Sequence, residues 1–225
     1  MTKIDNITST MNYLDWEYVL IESNSTDGTK DLVEKYNSSR NIPCVKYFQP
    51  EPNGKGSAVK LGMELSDSDI IMIQDADLEY NPEEYPELLK PLLEEKCKFV
   101  LGSRHLGAGN WKIRNFDCSK WYAQLINIGS EVFSFIFALL YGVTLTDAQT
   151  MYKIFDKECI KGIKWRSNKF QLDWEIVCKL VKRGYIPMEL PCTYNSRTSE
   201  EGKKINVLRD GFLGLWAIIY FRFFE

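Results

Sequence analysis

Four apolar runs rich in branched and aromatic residues mark the first hundred positions: EYVLI (17–21), CVKYF (44–48), DIIMIQ (69–74) and KFVLG (98–102). Short unbroken runs of this kind predict strands covered on both faces. Between them the apolar period lengthens to three and four. STDGTKDLVEKYN offers Thr26 or Asp27 as an N-cap and sets Leu32, Val33 and Tyr36 on one helical face. GKGSAVKLGMELS repeats the spacing with Ala58, Val59, Leu61, Gly62 and Leu65. Pro82 opens a third helix, through EEYPELLKPLLEEK, whose inner face is Leu88, Leu89, Leu92 and Leu93. The alternation predicts an α/β fold with a mostly parallel sheet flanked by helices. From Lys112 onward the chain becomes more helical: a long helix over about 119–141, a helix over 173–183, a strand YIPMEL and an apolar C-terminal helix. With no repeat, low-complexity tract or linker, residues 1–225 are expected to form one domain, read as successive parts 15–110, 111–210 and 211–225.

Composition narrows the classes. With 44% hydrophobic residues the chain can bury a sizeable core, and a net charge of -3 argues against nucleic acid as a partner. The six cysteines form no C-x-x-C pair and His105 is the single histidine, so neither a structural zinc site nor a disulfide framework is indicated. A reducing, cytoplasmic setting is expected, because the N-terminal stretch lacks the apolar core of a secretory signal. Residues 125–145 approach the length of a bilayer span but carry Ser130 and Glu131, and residues 211–221 are too short. Both read as buried or interfacial helices, and a peripheral place on the cytoplasmic face of a membrane stays open for the second.

Candidate chemistry gathers at the strand ends, where open α/β sheets collect ligands. DIIMIQ runs directly into Asp75, Asp77 and Glu79. Two carboxylates separated by one residue can hold one hard divalent cation and leave coordination positions for phosphate oxygens, although a solvated acidic turn has the same spacing. ESNSTDGT (22–29) and PNGKGSAVKLG (52–62) follow the first two strands and reach the same edge. Gly54 and Gly56 permit close backbone approach and Lys55 adds positive charge, in neither a G-x-x-x-x-G-K-[ST] nor a G-x-G-x-x-G pattern.

The ordered series STDGT, GKGSAVKLG, IIMIQDADLEYNPEEYPELLKPL, GSR, LTDAQTMYKIF, KRGY and YNSRTSEEGKKI resembles family 2 glycosyltransferases of the GT-A fold. It is most similar to the dolichyl- or polyprenyl-phosphate mannose or glucose synthase branch, over about residues 15–210. The resemblance implies an enzyme that moves a hexose from a GDP- or UDP-sugar, with inversion, to polyprenyl or dolichyl phosphate. Transfer to a saccharide hydroxyl of a glycan, and a non-catalytic nucleotide-sugar-binding relative, are its alternatives. It implies Mg²⁺ or Mn²⁺ on Asp75, Asp77 and Glu79. Glu22, Asp27, Lys55 and Asp75 fall where the family contacts the nucleotide sugar, and Arg104 falls near the phosphates. Asp147 occupies the position of a general base, needed for a hydroxyl acceptor and dispensable for an anionic phosphate; a helix cap or loop carboxylate is its structural alternative. Arg197, Lys203 and Lys204 match a basic acceptor loop, against which Glu200 and Glu201 argue for a balanced surface.

Two departures stand out. The family's acidic pair after the first strand aligns with Glu22 and Ser23 in place of two aspartates. The family's opening strand and turn, of the type V-I-P-x-Y-N-E, has no counterpart ahead of KIDNITSTMNYL. The expectation is a sheet lacking that strand, with exposed edges and fewer contacts to the base.

Overall fold

The computed structural model describes residues 1–38, 42–77, 79–106, 120–195 and 207–225. Its helices are α1 (Thr2–Thr10), α2 (Thr29–Lys35), α3 (Lys55–Leu65), α4 (Tyr85–Leu93), α5 (Lys120–Tyr141), α6 (Lys157–Ile160), α7 (Gln171–Lys182) and α8 (Val207–Phe223). The strands are β1 (Tyr18–Glu22), β2 (Cys44–Phe48), β3 (Ile70–Met72), β4 (Phe99–Ser103), β5 (Lys153–Asp156) and β6 (Met188–Pro191). The strands form two separate sheets. β1 and β2 pair in parallel, Tyr18 opposite Cys44 and Glu22 opposite Phe48. The larger sheet has the order β3-β5-β4-β6, with β5 antiparallel to both neighbours and β4 parallel to β6. Among the described residues no strand pairs with the second edge of β1 or of β3.

The larger sheet carries the core. Every residue of β4 is buried, and Phe99 and Phe155 meet edge-on at 6.1 Å across the β4–β5 pair. α4 covers it with Tyr85, Leu88, Leu89 and Leu92. A 3-10 turn at Pro82–Glu84 leads in, and its Asn81 cap accepts from the Glu83 N–H at 3.3 Å. Leu93, expected on the inner face, is 39% exposed because its neighbour Leu92 already takes the inward direction and each helical step turns the face by 100°. α7 is buried from Leu172 through Val181 apart from Asp173 and Lys179.

The smaller sheet is thinner. Leu32, expected to pack inward, is 73% exposed and no residue of α2 is buried. The cap also differs from expectation: Gly28 occupies it with a left-handed φ of 87°, and Asp27 Oδ1 accepts the Thr29 N–H at 3.1 Å. Polar bonds tie this half to α1, through Tyr36 Oη donating to the largely buried Asp5 at 2.6 Å and a 2.7 Å bond between Thr8 Oγ1 and Tyr18 Oη.

α3 joins the halves. A Cβ on Gly54 or Gly56 would lie 2.6 Å from the carbonyl oxygen of Asn168 or Lys169, so the helix start sits directly on that backbone. The Ser57 N–H donates to Asn168 O at 3.0 Å, and the buried Glu175 carboxylate holds the same loop by accepting from the Arg166 and Ser167 N–H groups at 2.8 and 2.7 Å. Among the described residues no helix is long and apolar enough to cross a membrane. The five described cysteines are free.

Candidate active site

β3 delivers its chain end to the base of α3. There Lys55 Nζ meets Asp75 Oδ2 at 2.7 Å, touches the Met151 thioether and lies 5.8 Å from the centre of the Phe170 ring. Asp77 Oδ1 accepts the Glu79 N–H at 3.1 Å, which closes a tight acidic turn. Glu79 is buried and turns the other way, where its Oε2 accepts from Tyr194 Oη at 2.9 Å. Among the described residues no three carboxylate, cysteine or histidine side chains gather into a metal-sized cluster. The donor set still suits a hard cation, since Asp75 and Asp77 are oxygen ligands two residues apart and Asp75 already attracts an ammonium group.

A second cluster lies beyond Tyr194, whose ring stands 5.1 Å from the guanidinium carbon of Arg104. Arg104 Nε and Nη2 donate to Asp147 Oδ2 and Oδ1 at 2.6 and 2.7 Å, a bidentate pair with side-chain exposures of 12% and 3%. Burial alone would push the Asp147 carboxyl up; the Arg104 charge and hydrogen bonds more than reverse this and hold it down at about 2. Arg104 is correspondingly pushed further up. The loop is fixed from behind by Glu189 on β6, whose carboxylate accepts from the Thr146 and Asp147 N–H groups at 2.7 and 2.8 Å. Burial raises Glu189 in spite of those bonds. Gly102 lets the Tyr152 side chain lie across β4, because a Cβ there would come within 2.8 Å of it.

Behind both clusters the fully buried Lys153 donates to Thr150 O and to Asp173 Oδ1, the latter at 2.9 Å. Burial pushes this ammonium down, against the pull of Asp173. Tyr194, Glu189 and Lys153 escape sequence reasoning. Tyr194 opens the YNSRTSEEGKKI motif and carried that much signal, whereas the other two acquire meaning only from pairing across the sheet.

In the smaller sheet, Glu22 is buried at the end of β1 and accepts from the Asn24 and Ser25 N–H groups at 2.9 and 2.7 Å. Burial opposes its charge, yet these bonds and the Ser25 hydroxyl bring it below the usual carboxylate range. Ser23 Oγ donates to Gln49 at 2.7 Å. Lys55 and Asp75, with Asp77 beside them, thus lie past the carboxyl end of β3, and Arg104 with Asp147 past that of β4, while Asp27 stays exposed at the α2 cap. Arg197, Lys203 and Lys204 lie outside the described residues.

Comparison with known proteins identifies the fold and the family. The chain is 27% identical over 203 residues to a dolichol-phosphate mannosyltransferase of Pyrococcus furiosus, covering 90% of this chain and 53% of that protein. It is 25% identical over 181 residues to a dolichyl-phosphate hexose transferase of Haloferax volcanii, covering 78% of this chain and 74% of that protein. The chain therefore spans only about half the length of the first of these relatives. Among solved structures, the glucosyl-3-phosphoglycerate synthase of Mycobacterium tuberculosis with Mn²⁺, UDP-glucose and phosphoglyceric acid superposes with a TM-score of 0.61 at 16% identity, covering 96% of this chain and 75% of that one. That likeness is one of fold, and the fold is GT-A. Residues 4–160 match the family model for glycosyl transferase family 2, and with most of its length inside that match this chain belongs to the family.

Proposed function

We propose that this chain is a metal-dependent, inverting hexosyltransferase that moves a sugar from a nucleoside-diphosphate donor to a polyprenyl phosphate. The observation that carries the choice of acceptor is the Arg104–Asp147 pair. A carboxyl held at about 2 is a feeble base for a sugar hydroxyl, since general-base catalysis works best with a pKa near the operating pH. A phosphate oxygen needs no deprotonation. Asp147 then serves to orient Arg104, whose guanidinium keeps N–H donors beyond the two given to Asp147 and offers them to phosphate.

A divalent cation held by Asp75 and Asp77 would supply charge neutralisation at the departing diphosphate. Lys55 stands beside them as a second positive group for the donor phosphates. The acceptor phosphate oxygen attacks the anomeric carbon as the bond to the diphosphate breaks, and the electron pair leaves on the diphosphate. The names of the relatives from Pyrococcus and Haloferax favour the same acceptor class.

Radiolabelled GDP-mannose and UDP-glucose, supplied with Mn²⁺ and a polyprenyl phosphate, test the reading. Label is expected in the lipid extract, chelation is expected to remove it, and Asp77→Ala should lower turnover by about 100-fold or more. Full activity in Asp77→Ala, or transfer to a soluble saccharide alone, would defeat it. A second reading, a relative that binds without catalysing, is favoured by Glu22, whose carboxylate is spent on its own turn. Calorimetry decides: no heat with any UDP- or GDP-sugar in the presence of Mn²⁺ supports it.

A further inference from the structure

We infer that Tyr194 is a positioning residue that sets the acidic turn after β3 and the Arg104 guanidinium in one frame, an inference that rests on the lipid-phosphate reading above. The two groups leave the sheet from different strands, β3 and β4, and β5 lies between those strands. Tyr194, past the end of β6, reaches both. Its hydroxyl donates to Glu79 Oε2 at 2.9 Å, and its ring lies under the guanidinium carbon of Arg104 at 5.1 Å.

The hydroxyl end acts on Asp77 through Glu79. Glu79 is held at three points: its carboxylate by the Tyr194 hydroxyl, its carbonyl oxygen by the Asn195 N–H at 2.8 Å, and its own N–H by donation to Asp77 Oδ1 at 3.1 Å. A residue fixed at its side chain and its carbonyl points its N–H in one direction, so the last of these bonds aims the Asp77 carboxylate. Without the hydroxyl, the buried Glu79 carboxylate would move toward water and take the turn with it.

The ring end acts on Arg104 directly. Asp147 takes two N–H groups along one edge of the guanidinium, which leaves the plane free to tilt about that edge. An aromatic face beneath the cation resists the tilt. The ring is itself backed by Tyr80, which is buried, stands edge-on at 5.1 Å and accepts the Met151 N–H at 3.1 Å through its own hydroxyl. An isolated antiparallel bridge also pairs Tyr80 with Tyr194 along the backbone. Core filling asks for neither a hydroxyl nor an aromatic face at this place, so removing them one at a time separates the roles.

The full chain would be compared with Tyr194→Phe, which keeps the ring and removes the hydroxyl, and with Tyr194→Leu, which removes both. Binding of Mn²⁺ alone is read from the EPR signal of the free ion, and steady-state transfer from radiolabelled GDP-mannose or UDP-glucose gives KM and kcat for polyprenyl phosphate. Tyr194→Phe is expected to weaken Mn²⁺ binding about fivefold and to move the acceptor KM by less than about twofold. Tyr194→Leu is expected to weaken Mn²⁺ binding as much and also to raise the acceptor KM about tenfold. Unchanged Mn²⁺ binding in Tyr194→Phe, an unchanged acceptor KM in Tyr194→Leu, or equal KM increases in both variants would overturn the inference. So would a fall in kcat alone, because a mere loss of folded protein lowers kcat and leaves KM and metal affinity as they were. If Tyr194→Leu does not fold, the Mn²⁺ affinity of Tyr194→Phe decides, a fall supporting the role and no change removing it. A wild type that binds Mn²⁺ yet transfers nothing to polyprenyl phosphate would defeat the lipid-phosphate reading, and the Mn²⁺ comparison would still decide what the hydroxyl does.

Discussion

The two sheets of this molecule are built to different standards. β4 and β5 lie in the interior, with Phe99, Val100, Leu101, Ile154 and Phe155 fully buried, whereas no β2 residue is fully buried and Val45 and Tyr47 are exposed. A two-stranded sheet is marginal by itself, so β1 and β2 depend on α1, α3 and a few polar bonds. The contrast separates tasks: the larger sheet fixes Arg104, Asp147 and Glu189 rigidly, and the smaller one presents Glu22 and the α2 cap on a lighter frame.

The heaviest blow to that contrast is Phe99→Ala. It should cost about 3–5 kcal/mol in urea unfolding and take the whole chain down, because the cavity sits in the shared core. Next is acid. The Asp147 carboxyl is lower in the folded chain than in the unfolded one, so its stabilisation is present above about pH 4 and fades as pH falls toward 2. That contribution is on the order of 2 kcal/mol, and Asp147→Asn should flatten this part of the acid-unfolding curve. Tyr36→Phe, in the smaller half, should cost about 1–2 kcal/mol by leaving the buried Asp5 without its phenol donor. Hydrogen exchange sharpens this one: amides of β1 and β2 should lose protection while those of β4 keep it, and equal loss in both would mean the halves open together. Smallest is Leu32→Ala, expected within 0.5 kcal/mol of wild type despite removing a large apolar side chain.

Where the physics is local, the sequence was readable. DIIMIQ announces a strand and its acidic exit, and all four early strands fall within a residue or two of their expected places. β5 was invisible because its first inward residue is Lys153, a charged side chain whose burial depends on Asp173, twenty residues on. The antiparallel insertion of that strand between β3 and β4 followed it out of sight. Leu32 misled for the opposite reason, since an amphipathic pattern states a wish to be buried and cannot say whether anything lies opposite. Arg104 and Asp147 were each picked out as active groups, yet their 43-residue separation hid that each engages the other.

One backbone contact has a practical side. α3 begins without side chains at Gly54 and Gly56, so the two halves of the molecule are pressed together main chain to main chain, with no layer of atoms to act as a cushion. A single methyl group, introduced as Gly56→Ala, is therefore a crowbar of atomic size: it would prise Lys55 off its seat beside Asp75 while leaving every ionisable group in the protein chemically intact.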